Sequence, residues 1–347
     1  MMENTTLKED LDYSWAQDKP RKKISTPYNF KEKVCWLKNN IFGPLKKFND
    51  LITFLPQKIQ LNDIKPEIKL GFIGDVMKMG KRELEFSDEL KNFFNDIDYL
   101  IMNFEGTISD GKKVFMAQKH DERIISFLKA LFPPKNTILG CSNNHSGDFG
   151  WTEFNKSYNM LKEHGFIVMG RRDEPSIMLK HKINLVNLTR WSNQPCEYIS
   201  KFDCIESYIN PEANFKILYP HWGFEMQLYP NSKQIEGTKS LLNDWDLIVG
   251  HHSHCPQPIT AYKIRENLKL VAYSLGNFCF DSKFQKYRHG MVLNAEIGPD
   301  QDGKWKVGKV HWKFSFIDHL DKNITEIQIS DSCKYFKNIE FIDSSKI

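Results

Sequence analysis

Three histidines fall within four positions, His251, His252 and His254, directly after the apolar run Leu247-Ile-Val-Gly250. The chain has eleven histidines spread over 347 residues, so this clustering asks for a chemical reason. The apolar run reads as a buried strand, with the histidines where it ends. In an extended segment alternate residues share a face. That sets His252 and His254 on one side and His251 on the other. Two imidazoles on one face suit a divalent metal ion, but they cannot close its coordination shell.

Earlier strand ends offer the missing donors. The runs ending Gly74-Asp75, Asn103-Phe-Glu105, Asn143-Asn144-His145 and Pro220-His221-Trp222 each place polar residues after apolar ones. Taken singly, each has a plainer reading. Gly-Asp after a strand is common, Asn103 to Glu105 fits a turn or cap, Asn-Asn fits turn chemistry, and His221-Trp222 fits a buried aromatic pair. Together they give a set of carboxylate, amide and imidazole groups with no thiolate, which suits manganese, iron or zinc. The set is large enough for two ions. Ions about 3.5–4 Å apart, bridged by a carboxylate, activate water and clamp the oxygens of a displacement.

Positioning such residues requires alternating strands and helices. Strands are expected at 69–76, 99–105, 137–145 and 166–169, with helices at 84–94, 124–131 and 151–164 between and after them. The second half reads as a hairpin over 177–189, a strand over 215–223, a helix over 231–243, two strands within 259–273 and antiparallel strands over 292–297 and 306–317. This order is that of an α/β fold, whose sites gather beyond the carboxyl ends of the strands. Residues 1–66 stand apart as an N-terminal extension. Met1 to Tyr28 is polar and expected to be loose. From Phe30 to Ile59 the spacing of Val34, Leu37, Ile41 and Leu45 is partly helical, and Gly43-Pro44 interrupts it. This stretch docks on its own domain or faces a partner, and its basic amphipathic character also allows peripheral recruitment to anionic lipid. The main domain covers 67–320, and 321–347 is expected to be an edge strand and tail.

The formal charge is +4 and the composition is 40% hydrophobic and 27% charged. That excludes disordered, collagen-like and coiled-coil classes, and argues against nucleic-acid partners. The seven cysteines are odd in number and show no C-x-x-C spacing, against both a zinc ribbon and a disulfide framework. No apolar run is long enough to span a membrane and no secretory signal is evident, so the expected location is cytoplasmic.

Gly74-Asp-Val-Met77, Asn103-Phe-Glu105, Asn143-Asn-His145 with Asp148 and Gly150, His221-Trp-Gly223, Gly250-His-His-Ser-His254 and Ser274-Leu-Gly-Asn-Phe278 occur in this order. The set resembles the CapA-like family of poly-γ-glutamate capsule synthesis, which is similar to the calcineurin-like metallophosphoesterases. The resemblance runs from about 68 to 281. It implies a four-layer α/β/β/α sandwich around a dimetal centre. Asp75 and His254 would hold the first ion, Asn144, His221 and His252 the second, and Glu105 would bridge them. His145 would serve as general acid, oriented by Asp148. Asn103, Asn143, Trp222, His251 and Asn277 would line the substrate or support the ligands. Met77 stands where the phosphoesterase pattern has a histidine, and Glu105 where it has an aspartate.

The expected function is therefore a metal-dependent hydrolase acting on a phosphoester or a glutamyl amide of an anionic small molecule or polymer. Arg171, Arg172 and Arg190 are candidates for holding the anion. The alternative is a non-catalytic metal- or polymer-binding accessory protein of capsule synthesis or export.

Overall fold

The computed structural model describes residues 13–22, 24–45, 52–112, 114, 116–336 and 341–342. The elements in chain order are α1 (Phe30–Phe42), β1 (Lys58–Gln60), β2 (Ile68–Val76), β3 (Glu83–Phe86), α2 (Asp88–Phe93), β4 (Tyr99–Phe104), β5 (Thr107–Ile108), β6 (Lys119–His120), α3 (Ile124–Leu131), β7 (Thr137–Gly140), α4 (Gly150–Glu163) and β8 (Ile167–Met169). Then come β9 (Ser176–Leu179), β10 (Ile183–Thr189), β11 (Phe215–His221), α5 (Ser232–Leu241), β12 (Leu247–Val249), β13 (Ile259–Ile264), β14 (Asn267–Ala272), β15 (Asn277–Cys279), β16 (His289–Pro299), β17 (Trp305–Asp318) and β18 (Ile324–Ser330).

Two large sheets carry the domain. The ten-stranded sheet runs β3-β18-β17-β16-β2-β4-β7-β8, with β1 on β17 and β15 on β2. The six-stranded sheet runs β13-β14-β12-β11-β10-β9. Within them β2-β4-β7-β8 and β10-β11-β12-β14 are parallel.

Side-chain alternation explains the layers. Leu70 and Phe72 of β2 point inward and meet Leu185, Ile217, Tyr219 and Leu247 from the other sheet in one core. Ile73 and Val76 of the same strand face outward and pack against Leu90 and Phe93 of α2, Leu128 of α3 and Tyr158 of α4. On the far side Val186, Leu218 and Ile248 cover Ile235 of α5 and Trp245. The stack is helix, sheet, sheet, helix: the four-layer α/β/β/α sandwich. The Tyr219 hydroxyl crosses the central layer to donate to Ile73 O at 2.5 Å.

Three local expectations change. The helix expected over 84–94 is split, because Glu83–Phe86 pairs with β18 and Ser87 caps a shorter α2 by accepting from Leu90 N. The strand near the C-terminus is not an edge, since β3 and β17 flank β18 on both sides. Residues 13–22 lie packed along the domain: the Asp18 carboxylate accepts from Thr152 N, and Trp15 meets Trp151 edge-on at 5.6 Å. Met1 to Asp12 and Lys23 fall outside the described residues, as do 337–340 and 343–347.

Candidate metal centre

The parallel strands of both sheets end at one place. Asp75 sits at the tip of β2 and Glu105 follows β4. Gly74 is required beside them, because a Cβ there would lie 1.9 Å from Gly276 O. Its absence lets the turn before β15 lie against β2, where Asp75 N donates to Gly276 O at 2.8 Å. Asn103 Nδ2 donates to Asp75 Oδ1 at 2.8 Å. Asn103 thus orients the carboxylate and offers no oxygen to an ion on that side.

The loop after β7 brings the next group. Asn143 shapes it, with Oδ1 accepting from His145 N and Nδ2 donating to Phe104 O. Asn144 Oδ1 comes within 2.9 Å of His221 Nε2. His145 Nδ1 lies 2.7 Å from Asp148 Oδ2, and its Nε2 points to Glu105 Oε1 at 3.8 Å. Asp148 also accepts from Gln118 N.

The six-stranded sheet supplies nitrogen. His221 ends β11, and His251, His252 and His254 follow β12. Strict alternation fails here. The ladder continues to His251, which bridges His221 in parallel, and beyond it His252 and His254 take left-handed backbone, with φ of 95° and 56°. His251 keeps the inward side of Leu247 and Val249, and the turn swings His252 and His254 inward as well. His251, expected to face away, places Nδ1 2.8 Å from His221 Nδ1 and 3.4 Å from Asp75 Oδ1. His252 Nδ1 is 2.9 Å from His221 Nε2. His254 Nε2 is 3.8 Å from Glu105 Oε1, while its Nδ1 is 2.9 Å from Asn277 Oδ1.

Asp75, Glu105, Asn144, His145, Asp148, His221, His252 and His254 are therefore brought together, with Asn103, Asn143, His251 and Asn277 around them. Trp222 is not. Being one residue beyond His221 on a strand, it faces the outer core, donates to Tyr273 O and stacks on Phe202. The arginines are engaged elsewhere: Arg171 pairs with Asp173 and Glu174, Arg172 donates to Glu197 O, and Arg190 lies over the Phe202 ring. Glu225 was missed by the sequence reading. Its carboxylate, His252 and His254 each offer a ligand atom within 4.8 Å of one another, as do Asp75, His221 and His251, and Asp75, Glu105 and His254. The signal was its position four residues after His221, past Gly223 at φ 86°, where the chain turns back.

The electrostatics follow from burial. Asp75, Glu105, His221, His251 and His252 are fully buried. Burial opposes ionisation of Asp75, but hydrogen bonds and charge from His251 and His254 outweigh it and hold the carboxyl well below its ordinary range. Burial and the neighbouring Asp75 push Glu105 well above its own. Burial and adjacent imidazoles keep His221 and His252 neutral by lowering them far. Burial also disfavours charge on His254, yet Glu105, Asp75 and Glu225 lift it to about 10.

A cation fits this donor set. Both Glu105 oxygens and His251 Nε2 are buried without a hydrogen-bond partner. An orphaned buried carboxylate is costly, and buried charges are ordinarily paired or bound to metal. Neutral imidazoles with carboxylate and amide oxygens are the donors that divalent manganese, iron or zinc accept.

The N-terminal segment roofs the cluster. The Tyr28 hydroxyl lies 3.3 Å from His252 Nε2 and accepts from Glu225 N. Its ring stacks on Phe224 at 4.9 Å, and Trp191 meets His252 edge-on at 4.6 Å. Trp36 Nε1 donates to Glu225 Oε2 at 2.7 Å, Arg21 to Asp148 O, and Ser25 N to Asn193 O.

The chain is 24% identical over 272 residues to the PGA biosynthesis protein CapA of Bacillus subtilis (strain 168), covering 69% of this chain and 70% of that protein. It is 25% identical over 271 residues to the capsule biosynthesis protein CapA of Bacillus anthracis, covering 67% of this chain and 64% of that one. Among solved structures, a hypothetical protein from Thermus thermophilus aligns over 71% of this chain and 98% of its own, at 13% identity and a TM-score of 0.44. Residues 69–191 and 203–282, more than half the chain and the span that carries the metal-ligand candidates, match the family described as bacterial capsule synthesis protein PGA_cap, and the chain belongs to that family.

Proposed function

We propose that the chain is a metal-dependent hydrolase of capsule-polymer biosynthesis, cleaving a phosphoester or a glutamyl amide of an anionic substrate. The observation that carries this is Glu105, fully buried beside Asp75, with neither oxygen hydrogen-bonded and the His145 and His254 Nε2 atoms 3.8 Å from Oε1. Asp75 and His254 would hold one divalent ion. Asn144, His221 and His252 would hold a second, with Glu105 shared and Glu225 and His251 at the margins. Ions so held supply Lewis acidity and lower the pKa of water.

The protein groups do the rest. Asp148 accepts the Nδ1 proton of His145 and fixes its ring, so Nε2 faces the cluster and can protonate a leaving group. Asp148 is a positioning residue in this scheme, since it acts through His145. Purified protein supplied with Mn²⁺ is expected to cleave a chromogenic phosphodiester or a γ-glutamyl anilide, and Asp75→Ala to abolish cleavage. Absence of turnover with manganese, iron and zinc alike overturns the hydrolase reading.

One observation favours the accessory role instead. The Tyr28 hydroxyl on His252 and the Trp36 indole on Glu225 cover that side of the cluster. On that reading elemental analysis finds bound metal, and no substrate is turned over.

A further inference from the structure

Helix α1 is amphipathic in the wrong sense for a helix docked on its own domain. Phe30, Val34, Leu37 and Ile41 form one stripe at i, i+4, i+7 and i+11, and they are 53–81% exposed. A packed surface helix turns such a stripe to the core. Here the opposite face is the docked one. Trp36 donates to Glu225, Asn39 is buried, and Asn40 binds the Tyr287 hydroxyl and, through its carbonyl, Lys286. The stripe therefore faces water although the helix is well anchored. Its ends are built as well: Asn29 and Glu32 form a reciprocal capping box, and Gly43 N donates to Asn39 O. Beside its C-terminal end, Phe42 and Phe284 extend the exposed apolar surface.

The charges identify what covers the stripe. At about 100° per residue, Lys33 flanks it on one side and Lys31 and Lys38 on the other, each about 70–90° away. Lys283 and Lys334 are also exposed, next to Phe284 and in the cleft that Phe42 shares with Phe284. The sole acidic residue of the helix, Glu32, is spent on the cap. Lysines on both flanks of an apolar stripe can reach to the headgroups while the stripe enters the acyl boundary. Two copies apposed through this face would set lysine rows against each other. With thirteen residues α1 is too short to span a bilayer, and among the described residues no helix is long and apolar enough to cross one.

We propose that α1 is a membrane-surface helix that lays Phe30, Val34, Leu37 and Ile41 onto an anionic lipid surface. The inference rests on this face alone and holds whether or not the metal centre is catalytic.

The test is sedimentation of the full-length chain with vesicles of phosphatidylcholine alone and of phosphatidylcholine with about 30% phosphatidylserine. The protein is expected on the anionic vesicles, and to leave them in about 0.5 M salt. Leu37→Glu/Ile41→Glu and, separately, Lys31→Glu/Lys33→Glu/Lys38→Glu should each lower partitioning at least about tenfold. These side chains are exposed, so thermal midpoint and metal content should stay at the parent values. Failure to bind anionic vesicles, or undiminished binding by Leu37→Glu/Ile41→Glu, overturns the proposal. A dimer in light scattering that Leu37→Glu/Ile41→Glu dissociates, with no lipid binding, overturns it too and makes the stripe an interface between copies.

Discussion

Asp75, Glu105 and Asn144 come from the ten-stranded sheet, whereas His221, His251, His252 and His254 come from the six-stranded one. The oxygen side is held by regular structure. Asp75 is still in register with Asn103 and Asn277 on its two neighbours, and its carboxylate is oriented by the Asn103 amide. The nitrogen side depends on a turn with two histidines in left-handed backbone. Such conformations cost roughly 1–3 kcal/mol each and persist where the surroundings over-determine them. One wall of the site thus rests on strand pairing, and the other on a strained turn.

Asp75 touches both walls, so Asp75→Ala should have the largest effect. We expect metal affinity to fall at least about a hundredfold, beyond the 10–100-fold typical of outer partners, as read by elemental analysis and titration. A variant that keeps its full metal complement would show the carboxylate wall to be dispensable.

Histidine 252 tests the strained wall. His252→Ala and His252→Gly should both lose metal, but in metal-free protein the glycine variant should be the more stable by about 1 kcal/mol, since glycine accepts positive φ. Equal urea midpoints would mean that the turn stores no strain. The supporting amides come next. Asn277→Ala should weaken metal binding about 10–100-fold by freeing His254, with Asn103→Ala weaker in effect because strand pairing still holds Asp75. The reverse ranking in metal titrations would invert the comparison. Tyr28→Phe should be the mildest change, costing about 0.5–1.5 kcal/mol for one lost hydrogen-bonding hydroxyl in chemical denaturation, with metal content intact.

What was legible in the sequence follows the same division. Strand ends are local, so apolar runs ending in Gly74-Asp75 or Phe104-Glu105 could be read from spacing, as could the antiparallel pair β16–β17. His251 was misjudged because His252 and His254 were taken as the inward pair, whereas Leu247 and Val249 face the inter-sheet core and the same period carries His251 inward with them. Trp222 was misjudged on the same period: the alternation that turns His221 inward sends its neighbour outward. Glu225 is reached by a turn rather than by a period, and no periodic pattern could have found it. The Tyr28–His252 contact joins residues 224 apart, and nothing in the local sequence encodes it. The exposed stripe of α1 was visible as a helix, but which face it would bury was not.

The roof over the cluster has a thermodynamic consequence. Two of its attachments, Arg21 to Asp148 and Tyr28 to His252, end on loops that carry site residues, and a third, Ser25 to Asn193, ends on the loop that sets Trp191 against His252. Loop order and segment order therefore share one free energy, and by linkage each must stabilise the other to the same extent. An ion bound at the histidine turn would be expected to protect residues 24–28 from proteolysis, and a nick in that segment to raise the rate at which a chelator strips the ion. A chain lacking the segment up to Tyr28 would bare Phe224, Trp191 and His252 to water, so the extension is part of the site's solvent boundary.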